Sequence, residues 1–119
     1  MDVLIVENKG PLGQLWADHL RRHGGRVKLV ATSDDAIMAI SDQTFEVIVV
    51  NLEQAHDAIS VSDFAQYRQP DTQVMFVTDT SFFSDGSIFT LASNACTLVP
   101  STTPPEDIAA MVEHYAVHH

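Results

Sequence analysis

Six polar residues stand at or just behind apolar stretches of this chain, and their types limit the chemistry open to them: Glu7, Asn8, Asn51, Glu53, Thr78 and Asp79. A carboxylate such as Glu7 can hold a hard cation, and magnesium takes oxygen ligands while keeping several waters. Asn8 and Asn51 supply only neutral oxygens, so weak or no magnesium binding is expected. Accepting a phosphoryl group requires a nucleophile such as a carboxylate oxygen. The Asn51 amide has delocalised lone pairs and no net charge, so it cannot form an acyl phosphate. Each residue also has a plain structural use. Asn51 suits the loop after a strand. Thr78 can cap a helix or satisfy backbone groups. Glu7 and Asn8 can bond each other and nearby amides, and Asp79 reads as a turn residue.

The remaining reactive side chains point to packing. Cys96 is the single cysteine, which reads as a small buried apolar residue. No basic neighbour in sequence favours its thiolate. His19 and His23 have the i, i+4 spacing that sets two ligands on one helix face. His19, however, falls on an apolar stripe, and His23 lies near a helix end, where a cation complements the dipole. No catalytic residue and no metal site is assigned.

These residues need elements to position them. Five short apolar runs recur, Val3–Val6, Val27–Val30, Val47–Val50, Val74–Val77 and Cys96–Val99. They are mostly β-branched and continuous rather than alternating, which suits strands of a parallel sheet buried on both faces. The second run is the least apolar and is expected at an edge. Helical spacing fills the gaps. Pro11 suits a first helical position, Leu12, Leu15, Trp16, His19 and Leu20 follow, and Gly24-Gly25 ends the helix. Thr32–Asp35 and Thr103–Glu106 offer capping boxes, the second ahead of Ile108, Met111, Val112 and Tyr115. Weaker patterns cover 56–68, on Ile59, Phe64 and Tyr67, and 81–93, on Ile88, Leu91 and Ala92. Strands alternating with helices predict a doubly wound α/β sheet with helices on both faces. Ligands of such sheets bind outside the carboxyl ends of the strands, where the six polar residues fall.

The same positions carry a resemblance that covers essentially the whole chain. Val3-Leu4-Ile5-Val6-Glu7-Asn8 is similar to the strand ending in an acidic pair in receiver domains of two-component response regulators. Phe45–Asn51 resembles the strand that ends in that family's phosphoacceptor aspartate. Val77-Thr78 matches its strand ending in threonine or serine, and Ala92–Pro100 its segment closing in lysine-proline. The resemblance implies a flavodoxin-like five-stranded parallel sheet in the order 2-1-3-4-5. It makes Glu7 and Asn8 the counterpart of the acidic pair, Asn51 of the acceptor, Thr78 of the threonine and Val99 of the lysine. Cys96 takes the aromatic switch position, and Gln54-Ala55 replaces the methionine-proline that often follows the acceptor. Acid and base are lost together, as in a site relieved of one task. The resemblance thus implies a pseudo-receiver, a non-enzymatic interaction module in signal transduction or regulation. Two alternatives are a phosphoryl-accepting regulator using another acceptor (Thr78, Asp79 or Glu53) and a small-ligand sensor with its ligand above Asn51.

Composition narrows the partners. The chain has 119 residues, 45% of them hydrophobic, which fits one domain over 1–119 with a real core. Six Lys and Arg face sixteen Asp and Glu, for a net charge of −10. Such a field repels nucleic acid and anionic membrane, so neither is expected as a partner. One cysteine and no leader-like start favour the cytoplasm. His118 and His119 read as the remnant of a purification tag. In receivers, the face formed by the fourth helix, fifth strand and fifth helix commonly carries contacts. Here Phe89, Ala109, Ala110 and Val117 are its interface candidates, for a protein partner or a homodimer. Ala116, Phe82 and Phe83 add apolar bulk nearby.

Overall fold

The computed structural model describes residues 1–7, 10–51, 58–78, 95–100 and 102–117, with backbone alone for 58, 59, 95–97 and 117. In chain order the elements are β1 (Asp2–Val6), α1 (Gly10–Arg22), β2 (Arg26–Val30), α2 (Ser33–Asp42), β3 (Val47–Asn51), α3 (Ala58–Arg68), β4 (Gln73–Thr78), β5 (Ala95–Pro100) and α4 (Pro105–Val117). The helix expected over 81–93 lies outside the described residues.

All strand pairings are parallel, in the order β2-β1-β3-β4-β5. The least apolar run, β2, is an edge strand. Each central strand feeds two cores, because successive side chains point to opposite faces. Leu4, Val6, Ile48, Val50, Val74 and Phe76 pack against Ala36, Ala39 and Ile40 of α2 and Val61 and Ala65 of α3. Val3, Ile5, Val47, Val49, Met75 and Val77 pack against Trp16, Ala17 and Leu20 of α1 and Ile108, Ala109, Val112 and Ala116 of α4. The two-sided burial explains why the strands read as continuous apolar runs.

Local signals set the helix ends. Thr32 is extended (φ −127°, ψ 159°), and its side chain accepts a hydrogen bond from the Asp35 N–H at 3.1 Å, capping α2. After α1, Gly24 takes φ +84°, a left-handed conformation that glycine adopts without strain. The second capping box is displaced by one residue. The Pro104 carbonyl accepts from the Ile108 N–H, so Pro104 is the cap and Pro105 the first helical residue of α4.

Three helix faces differ from the sequence reading. The buried stripe of α1 is Gly13, Trp16, Ala17 and Leu20, which turns Leu15 outward at 45% exposure. In α3, Val61 and Ala65 face the sheet, and Tyr67, well round the helix from both, is 77% exposed. In α4 the stripe is Ile108, Ala109, Val112 and Ala116, with Met111 and Tyr115 half-buried at its flank. Ala109 is therefore a core residue rather than an interface candidate. Small side chains at 109 and 116 let α4 lie close on the sheet, which draws these positions inward. Ala110 is exposed. Phe89 lies outside the described residues, and so does the side chain of Val117.

Candidate functional site

The sheet order reverses between β1 and β3, since β1 leads outward to β2 and β3 leads the other way to β4. A crevice forms at the carboxyl end of such a switch point. Parallel register fixes what lines it. Val6 pairs with Val50, so Glu7 and Asn51, each next along its strand, stand side by side. Asn51 pairs with Val77, and Thr78 with Pro100, which brings Thr78 and Val99 to the same rim.

Glu7 and Asn51 are in contact. Asn51 Nδ2 donates to Glu7 Oε2 at 2.6 Å, between residues 44 apart in sequence. A carboxylate accepts only, so the amide must present its NH2 group to it. The bond is charge-assisted and buried, with Asn51 fully enclosed and Glu7 at 3% exposure. The Glu7 backbone is fixed as well, its N–H donating to the Val30 carbonyl at 3.0 Å. Gly13 of α1 runs just behind. A Cβ built there would lie 2.9 Å from Leu29 Cδ1 and 3.5 Å from Glu7 Cβ. Glycine thus lets the first helix sit close on Leu29, while Glu7 would be at ordinary contact distance.

Glu7, Asn51, Thr78 and Val99, expected at one end of the sheet, lie there. Thr78 is buried at 5% exposure, and Val99 packs into the core at 8%. The direct Glu7–Asn51 bond is more specific than the sequence reading, in which Glu7 bonds Asn8 and nearby amides. The signal that could have found it is parallel register, which sets residues just beyond equivalent points of adjacent strands side by side. Asn8, Glu53 and Asp79 lie outside the described residues, as does the side chain of Cys96. His23 turns to α4, with Nδ1 3.6 Å from Glu113 Oε2. Among the described residues, no three His, Cys, Asp or Glu side chains converge as a metal site would require.

An acid bonded by a neutral amide can do little chemistry by itself. Among the described residues of the crevice, Glu7 brings the carboxylate and position 51 an amide. Their bond is a polar contact that ties β1 to β3 at the crevice floor.

No protein-family model matches the sequence, and no curated protein matches it. Solved structures do. A response regulator receiver domain protein from Methanospirillum hungatei JF-1 superposes with a TM-score of 0.87 at 17% identity, over 98% of this chain and 94% of that one. The non-phosphorylated HemR receiver domain from Leptospira biflexa gives 0.82 at 19%, over 97% and 93%. A response regulator protein from Burkholderia pseudomallei, solved with a phosphorylated aspartic acid, calcium ion and citrate, gives 0.81 at 21%, over 98% of this chain and 69% of that one. What this chain shares with them is architecture: it has the α/β fold of response-regulator receiver domains.

Proposed function

We propose that this chain is an atypical receiver that works as a phosphorylation-independent protein-interaction module in signal transduction or regulation. The observation that carries the reading is the hydrogen bond from Asn51 Nδ2 to Glu7 Oε2. In the resemblance, position 51 belongs to the acceptor. An amide there cannot be phosphorylated, and its N–H partly occupies the acid that would otherwise hold a cation. Val99, at the lysine position, leaves an incoming phosphoryl group without its counter-charge. On this reading the chain is not an enzyme, binds magnesium weakly or not at all, and works in the cytoplasm without a switch driven by aspartyl phosphate.

Intact mass spectrometry after incubation with acetyl phosphate and magnesium tests this. No phosphoryl mass gain is expected. A stable, hydroxylamine-sensitive adduct on any residue would overturn the reading.

The contact face of the proposal is that of α4 and β5. Ala110 is exposed on α4, on the side away from buried Ile108 and Val112. Ala110→Arg is expected to weaken homodimerisation or partner capture, read by sedimentation and pull-down, while circular dichroism stays unchanged. If every association of the parent chain survives in the folded variant, the contact lies on another face.

A further inference from the structure

Among the described residues the outer edge of β2 is open, and it is basic in a chain of net charge −10. Residues 21–28 hold four of the six Lys and Arg and no acid. Arg21, Arg22, Arg26 and Lys28 are all exposed. Arg21 meets Asp18 at 3.7 Å, and Arg26 meets Asp2 at 2.9 Å. Arg22 and Lys28 make no ion pair among the described residues.

The backbone of this edge can be read residue by residue. The Arg26 N–H donates to the Met1 carbonyl, and the Glu7 N–H donates to the Val30 carbonyl. Alternate residues of a strand turn both backbone groups to the same side. Arg26, Lys28 and Val30 therefore bond inward to β1, and Val27 and Leu29 turn their N–H and C=O groups outward. The Val27 carbonyl is met there by Arg21 Nη2 at 3.4 Å. Among the described residues no strand pairs with the outer edge. Beside it lies a cleft of about 250 Å³ lined by Asp2, Arg26, Val27, Lys28 and Gln43.

We infer that β2 accepts an extended acidic segment of a partner protein as a sixth strand. Main-chain bonds would come from the outward N–H groups of Val27 and Leu29 and the Leu29 carbonyl, with the Val27 carbonyl joining once exposed Arg21 turns to the acidic strand, and selectivity would come from the cations on either side, the logic of strand addition at a sheet edge. A lysine on an edge also deters self-pairing. The two effects agree here. A second copy paired antiparallel about a twofold axis would set Arg26 and Lys28 against their own like charges, whereas an acidic strand would meet opposite ones. This surface is separate from the Glu7–Asn51 site, and strand addition there does not depend on phosphorylation.

The test uses the full chain and an acetylated, amidated peptide of alternating Glu and Val, with a Lys and Val peptide and a short DNA duplex as comparisons. The acidic peptide is expected to give saturable NMR shifts centred on the Val27 and Leu29 amides and to slow their hydrogen exchange. The Lys peptide should give neither. Arg22→Glu combined with Lys28→Glu is expected to weaken binding by about tenfold or more. Lys28→Gln, which disturbs the strand less, should weaken it by a smaller factor. Absence of shifts at Val27 and Leu29 at millimolar peptide would overturn the inference. So would equal binding by the charge-reversed chain, or DNA binding that produces the same shifts and exchange protection, since the edge would then select anions and not strands.

Discussion

At Asn51, one atom decides between two kinds of site. Asn51→Asp replaces the donating NH2 with a second carboxylate oxygen about 2.6 Å from Glu7 Oε2, in a buried position. Like charges so close disfavour ionisation of the pair, and a charge-assisted hydrogen bond is lost as well. The variant is expected to lose about 2–4 kcal/mol of stability at neutral pH. Millimolar magnesium should return part of that by binding the folded form. Urea unfolding with and without magnesium measures both effects, and a variant as stable as its parent would show that the bond contributes nothing. The same substitution alone should leave phosphorylation inefficient. Adding Val99→Lys should help, and Asn8→Asp further, with strongly non-additive effects. The site residues were legible in the sequence because each stands just behind a strand-forming run. The contact between Glu7 and Asn51 was not, because it depends on the Val6–Val50 register across 44 residues.

At the scale of elements, Gln69 joins four segments. Its Oε1 accepts from the Phe45 N–H at 2.8 Å and from Thr72 Oγ1 at 3.1 Å. Its Nε2 donates to the carbonyls of Ile40 at 2.9 Å and Gln43 at 2.7 Å. One amide thus ties the end of α2, the approach to β3, the end of α3 and the approach to β4. Gln69→Ala is expected to cost about 2 kcal/mol, because part-buried backbone groups lose their partners. Gln69→Glu should be no better, since a carboxylate cannot donate to two carbonyls. A drop in the urea midpoint with unchanged slope would register this, and an unshifted midpoint for both variants would count against it. Strands were legible in the sequence because burial on both faces leaves continuous apolar runs. Helix faces were less so. In α4, apolar residues occupy positions 108 through 112 and 115 through 117, so the pattern alone does not choose among neighbouring stripes. Packing on the sheet chose the one with the small residues.

Over the whole molecule, charge and topology are distributed unevenly. The acids are spread along the chain, whereas the bases gather at the α1–β2 corner. Net self-repulsion weakens the compact state and is screened by salt. Every strand pairing is parallel, so each closes only after an intervening crossover. Topology was legible in part: alternation gives the parallel, doubly wound class, whereas the order 2-1-3-4-5 came through the family resemblance, because apolar runs alone do not say which strands are neighbours.

The Glu7–Asn51 bond therefore also marks time. It spans 44 residues and sits where β1 and β3 have already aligned over Val3–Val6 and Val47–Val50. A side-chain bond at the far end of a docked strand pair needs both strands in place and water expelled. It should form after the folding barrier and add little to the transition state. Asn51→Ala is then expected to act on the unfolding limb of a chevron plot, speeding escape from the native state while the refolding rate stays nearly constant. Slowed refolding with unchanged unfolding would instead place the β1–β3 corner in the folding nucleus.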